Sequence, residues 1–195
     1  GSQDKEKGVD FAMIPAEWRR WPGFVAGFGD RFVLPQAAIV RIRQVHGDSV
    51  VVGDGLAPGF HAEIEGDAIV VHGGGLAAVA TADCVPILLV DPVTPWAAAV
   101  HAGWRGTVAR VVCAAIAAAR RDGIDPQRLH AALGPSIGPC CYEVGQEVAT
   151  AFVDAGLPTV HDTRRARWFL DLRLCNEILL SSAGLLRERI WVCGP

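Results

Sequence analysis

Two short apolar runs within residues 81–107 set the strongest limit on how this chain folds. Ile87-Leu88-Leu89-Val90 and Trp96-Ala97-Ala98-Ala99-Val100 have the length of strands and are bounded by turn-forming residues, so each reads as a buried strand. Cys84 stands just before the first, between Asp83 and Val85-Pro86. His101 closes the second and opens His101-Ala102-Gly103-Trp104-Arg105-Gly106. A thiol and an imidazole at adjacent element ends can meet in space, which suits either a metal site or a Cys/His catalytic pair.

The segments on either side alternate between strand and helix patterns. Residues 37–45 form an apolar, β-branched run in which Arg41 and Arg43 alternate, the pattern of a strand with one solvated or ligand-facing side. Residues 49–52 and 67–71 read as further strands, with 57–65 a loop between them and the Gly73-Gly74-Gly75 turn after them. The clearest helix covers 107–121, where Val108, Val111, Val112, Ala115, Ile116 and Ala119 recur at helical spacing and Gly123 ends the run. Residues 129–133 then predict a strand, 134–139 a rigid loop, about 141–155 a helix, about 172–182 a third helix, and 190–192 a last strand. Interspersed strands and helices predict an α/β (α+β) fold with a mixed sheet. With 195 residues and no linker or repeat, one domain spanning 1–195 is expected. Residues 1–9 are expected to be a loose polar arm, with Gly1-Ser2 a cloning remnant, and 18–32 to form turns between short strands.

A net charge of −3 gives no basic footprint for nucleic acid and no polybasic face for a membrane. No apolar run approaches the roughly 20 residues that span a bilayer, and no secretory signal is visible, so a cytoplasmic setting is expected. The six cysteines include no CxxC pair. Cys140 and Cys141 are adjacent and cannot form an ordinary unstrained bridge, so a reduced compartment fits them better than a disulfide scaffold.

Three residues share a local setting: His46 in Gln-Val-His-Gly, Cys84 in Ala-Asp-Cys-Val-Pro, and His101 in Val-His-Ala-Gly. Each lies at the edge of an apolar run beside small residues, where a strand end can hold it rigidly towards a common pocket. Two imidazoles and one thiolate make a zinc shell that leaves a fourth position for water or substrate. The competing reading is three unrelated core residues. His61, His72, His130 and His161 lack matching contexts. Asp83 is either a general base, a partner that orients a ligand, or a turn cap. Arg105, in a glycine-framed turn at a helix start, is either an anion holder or a salt-bridge partner.

Four motifs in register make the chain resemble the YfiH/YlmD family, also called the multicopper polyphenol oxidase or laccase-domain family. They are Gln44-Val45-His46-Gly47, Thr81-Ala82-Asp83-Cys84-Val85-Pro86, His101-Ala102-Gly103-Trp104-Arg105-Gly106, and the run from Leu133-Gly134-Pro135-Ser136 through Cys140-Cys141-Tyr142-Glu143-Val144. Asp67 and Asp171-Leu172 also fit the pattern. The resemblance implies a central mixed β-sandwich flanked by helices, related to toxin-type cysteine hydrolases. It implies a zinc site of His46, Cys84 and His101. It also implies an enzyme for purine nucleosides, with phosphorolysis of adenosine, inosine, guanosine and methylthioadenosine and deamination of adenosine. Within that chemistry Asp83, Arg105 and Cys84 are the candidate catalytic residues, and Arg43 and Arg105 the candidates for holding phosphate. The family's segment before the first motif corresponds to a shortened 27–36, with Arg31 a stand-in for its arginine. Its closing Phe-Ser-Tyr-Arg-Arg stretch has no counterpart after Pro195.

Two other chemistries use the same donors. Copper-dependent phenol oxidation also uses two His and one Cys, but a multicopper cluster needs many more histidines than the six present. A metal-free Cys84/His101 hydrolase acting on peptidoglycan precursors is the other, and a ligand-binding module without turnover is the non-enzymatic reading.

Overall fold

The computed structural model describes residues 14–21, 26–29 and 39–193. The polar arm of 1–9, Arg31 and most of the shortened 27–36 segment lie outside the described residues. The centre is a six-stranded mixed sheet of β2 (Val50–Val52), β4 (Ala68–His72), β5 (Val85–Asp91), β6 (Trp96–Ala102), β7 (His130–Leu133) and β11 (Ile190–Val192). Its order is β11-β7-β5-β6-β4-β2. The two outer pairs, β11–β7 and β2–β4, are parallel, and the inner pairs are antiparallel.

Alternation along the central strands divides the core between the two faces of this sheet. Val85, Ile87 and Leu89 of β5, with Ala98, Val100 and Ala102 of β6, face one way and pack under the helices α2 (Val111–Arg121) and α4 (Leu172–Ser182). On the opposite face Ile69 and Val71 of β4 meet Ile42 of β1 (Val40–Arg43) and Ile64 of β3 (Gly59–Glu65), a separate parallel pair. Val90, Ala132, Trp18 and Phe28 fill the rest of that second face. The chain is thus a mixed α/β fold with sheets flanked by helices, as the strand and helix patterns predict. Truncating a fully buried residue such as Leu89 or Leu133 to Ala costs about 2–5 kcal/mol. Among the described residues no helix is long and apolar enough to cross a membrane.

Three expectations are corrected. Residues 59–65 form strand β3 and not a loop; Phe60 is exposed, and the polar residues of this strand hid it because the β1–β3 pair buries little of its outer side. The helix expected over 107–121 is two helices, α1 (Trp104–Val108) and α2, divided at Arg110. Arg110 takes a left-handed backbone with φ 65°, at a cost of roughly 1–2 kcal/mol for a side-chain-bearing residue, and its guanidinium donates to Ala155 O at 3.0 Å. The helix expected from 141 begins only at α3 (Gln146–Asp154), because Glu143–Val144 is strand β8. It pairs with β10 (Arg167–Phe169), which also pairs with β9 (Val160–Asp162) in a small three-stranded sheet. α4 has the bounds expected of the third helix, about 172–182, with the Asp171 carboxylate accepting from Leu174 N at 2.9 Å as its N-cap.

Candidate metal centre

Strands β5 and β6 lie side by side with Val85 opposite Ala102 and Pro86 opposite His101. This register carries Cys84, just before β5, to the end of β6 that holds His101. His46 arrives from the turn after β1 with a left-handed backbone, φ 61°. The ligand atoms of His46, Cys84 and His101 all lie within 4.8 Å of one another. The two imidazoles meet edge to face, with centroids 4.7 Å apart. Among the described residues no other group of His, Cys, Asp or Glu converges in this way.

Asp67 holds the arrangement together from below. It is fully buried just before β4, its backbone bonded to Ser49 O and His101 N, and its carboxylate takes four donors. Oδ1 accepts from His46 N at 3.0 Å and faces His101 Nδ1 at 2.8 Å. Oδ2 accepts from Val45 N at 3.2 Å and Gly47 N at 2.7 Å. One carboxylate therefore shapes the His46 turn and holds the proton of His101 on Nδ1, leaving Nε2 as the ligand atom. Gln44 closes the other side of the turn through two 2.8 Å bonds to the backbone N and O of Ala80.

Gly103 makes the close packing possible. A Cβ there would lie 2.9 Å from Cys84 Sγ and 3.1 Å from His46 Nδ1, so no other residue leaves both donors in place. Burial, then the charges of Asp83 and Asp67, push the Cys84 thiol up, away from the thiolate a free nucleophile needs. A cation reverses that balance, since a coordinated thiol ionises outright. Donor set, convergence and the Asp67 support all fit a divalent metal of the zinc or copper type better than a metal-free Cys/His pair.

The other candidates fall around this cluster unequally. Asp83 is close enough to Cys84 for its charge to act on the thiol, and its carbonyl accepts from Ile137 N at 3.0 Å. Arg105 is exposed at the start of α1 with its guanidinium 4.4 Å from the Trp104 ring centroid, and among the described residues it has no carboxylate partner. Arg43 is held on the β1–β3 pair by an ion pair with Glu65 and by a 3.0 Å bond to Ala62 O. The remaining histidines stand elsewhere: His61 beside Glu63, His72 between Asp54 and Asp122, His130 against Trp21, and His161 against Trp168.

Two features of the site gave weaker sequence signals. Asp67 fits the family pattern, yet a single Asp before an apolar strand says nothing of the four bonds it accepts. Tyr142 follows the loop after β7; burial, then the charges of Cys84 and Asp83, push its phenol up against the opposing pull of Arg105. It therefore lies within electrostatic reach of the cluster.

Fold and site together define an α/β domain with a His–Cys–His centre suited to a metal. The sequence profile of the multi-copper polyphenol oxidoreductase laccase family matches residues 26–194, and the chain belongs to that family. It is 44% identical over 155 residues to a purine nucleoside phosphorylase of Deinococcus radiodurans, an alignment covering 79% of this chain and 58% of that protein. It is 39% identical over 158 residues to adenosine deaminase RL5 of an unknown prokaryotic organism, covering 75% of this chain and 60% of that one. The crystal structure of the hypothetical protein YfiH from Bacillus licheniformis superposes with a TM-score of 0.73 at 27% identity, covering 82% of this chain and 64% of that one. The chain thus spans less than two thirds of the length of these relatives.

Proposed function

We propose that the chain is the metal-bearing part of a zinc-dependent enzyme for purine nucleosides, catalysing phosphorolysis of adenosine, inosine, guanosine and methylthioadenosine and deamination of adenosine. The observation that carries this reading is the convergence of His46, Cys84 and His101 with His101 held in one tautomer by Asp67. The names of the relatives supply the substrate class. When bound, zinc supplies a Lewis acid that brings water within reach of ionisation near neutral pH.

The chain's own residues divide the rest of the work. In deamination Asp83 accepts the proton of the water that attacks C6 of adenine and returns it to the departing ammonia. In phosphorolysis Arg105 holds phosphate for attack at C1′ of the ribose, and the purine leaves. Arg105 suits this because it is exposed, braced by Trp104, and not committed to a carboxylate among the described residues. At Arg43 a phosphate has to compete with Glu65, so Arg43 is the secondary candidate. Cys84 acts as a ligand and not as the nucleophile.

The test is metal content measured beside phosphate-dependent release of free base from adenosine and inosine and release of ammonia from adenosine. One zinc per chain with either activity supports the proposal. Stoichiometric copper with phenol turnover above that of free copper favours oxidation instead, the activity in the family's description. An acyl-enzyme trapped on Cys84 without metal favours the hydrolase. Full zinc occupancy without nucleoside turnover leaves a binding module.

A further inference from the structure

The loop of residues 134–142 joins β7 to β8 and carries two adjacent thiols, Cys140 and Cys141, both exposed. Their Sγ atoms lie 2.8 Å apart. The turn beneath them is fixed by backbone bonds, with Gly138 O accepting from Cys141 N at 3.0 Å and from Tyr142 N at 3.1 Å. The start of the loop is tied to both sides of Cys84: Ile137 N donates to Asp83 O at 3.0 Å, and Gly134 N to Pro86 O at 2.8 Å. Tyr142 comes next in the chain, with Cys84 and Asp83 acting on its phenol.

Packing does not explain these thiols, since a cysteine kept as a small apolar side chain is buried and these two face solvent. Neither has a part in the nucleoside chemistry. Adjacent Cα atoms stand about 3.8 Å apart, closer than the range of about 4.4–6.8 Å that ordinary disulfides prefer. A bridge between them is strained, and strained exposed bridges are the easily reduced, regulatory ones.

We propose that Cys140 and Cys141 form a redox-sensitive dithiol, closed into a bridge by small-molecule disulfides, and that closure is transmitted through Tyr142 to the rim of the His46–Cys84–His101 centre. With the two Sγ atoms 2.8 Å apart, either thiol can attack first and the other resolve, here Cys140 first. The Cys140 thiolate bonds to one sulfur of the oxidant and expels the other half as a thiolate, which takes up the proton Cys140 has lost. Cys141 then gives up its proton and attacks the sulfur of Cys140, expelling the second half as a thiol. Two protein thiols lose two electrons and two protons, and one small disulfide becomes two thiols. The bridge draws together two side chains on the turn that leads into Tyr142, so the ring has to shift with it.

The experiment treats the purified chain with oxidised glutathione, blocks free thiols by alkylation, and maps the peptides. The expected product is a peptide holding both cysteines, lighter by two hydrogens, free of glutathione, and restored by a thiol reductant. Cys140→Ser and Cys141→Ser each retain glutathione on the remaining thiol. Tyr142 is the only tyrosine in the chain, so in tyrosine-labelled protein one ring resonance shifts on oxidation and returns on reduction. That resonance does not move when both cysteines are Ser. Two separate glutathione adducts, or thiols as open to alkylation after the oxidant as before, overturn the dithiol. A bridge that leaves the Tyr142 resonance in place overturns the link to the rim. Neither readout depends on nucleoside turnover.

Discussion

Asp67→Asn is the sharpest perturbation of the metal centre because it keeps the shape of the side chain and changes only what its atoms offer. Oδ1 serves His46 N and His101 Nδ1, and Oδ2 serves Val45 N and Gly47 N. Whichever oxygen becomes the NH2 group, two donors then face a donor. At about 1.5–3 kcal/mol for each hydrogen bond to a charged group, two such losses amount to about 3–6 kcal/mol before the turn relaxes. The same change removes the anchor of the His101 tautomer, and loss of such a partner lowers metal affinity about 10–100-fold. Urea unfolding without metal reads the first effect, and competition with a chromophoric zinc chelator reads the second. Zinc affinity within about twofold of the parent would refute the orienting role. An unchanged urea midpoint would refute the assignment of the four bonds.

Other perturbations separate the parts of the site. Gly103→Ala places a methyl 2.9 Å from Cys84 Sγ at a position whose φ of −78° any residue adopts, so the backbone is unstrained but the overpacking costs about 1–3 kcal/mol of stability and zinc affinity falls as Cys84 and His46 are pushed apart; chelator competition and thermal melts check the pair. Arg105→Ala raises the KM for phosphate and leaves adenosine deamination near the parent rate, whereas Asp83→Asn lowers kcat for deamination by about 10²-fold or more; unchanged turnover in both removes these roles. His72 lies 2.5 Å from Asp54 and 3.0 Å from Asp122, and these hydrogen bonds raise its pKa over the opposing effect of burial. Its contribution is therefore complete below the unfolded value of about 6.5 and is lost as pH rises through the higher folded value. For Asp54, burial raises the pKa but the bonds to His72 outweigh it and lower it, so that contribution is lost as pH falls. With these side chains more than a third exposed, screening holds the effect to a few tenths of a kcal/mol; His72→Gln should flatten the urea midpoint across neutral pH.

The parts legible in the sequence are those whose pattern is local. The runs of β5 and β6 and the helical spacing of α2 need no knowledge of the rest of the chain. Strand β3 escaped because among the described residues it pairs with β1 alone, and its exposed face carries polar residues that read as a loop. The break at Arg110 escaped because a left-handed arginine leaves the helical spacing on both sides intact. At the site, His46, Cys84 and His101 stood out by their settings beside apolar runs and small residues. Their convergence depends on the β5–β6 register and on the turn that Asp67 gathers, which are properties of chain tracing in space. The strictness of Gly103 is of the same kind, since it follows from two side chains remote from it in sequence.

The central claim is that His46, Cys84 and His101 hold a zinc ion at which purine nucleosides react. Elemental analysis of the purified chain, run beside phosphate-dependent release of free base from inosine, tests it most directly. The account predicts one zinc per chain, with metal and base release lost together in Cys84→Ala and His101→Ala variants that remain folded. Full base release in a Cys84→Ala variant stripped of metal would contradict it.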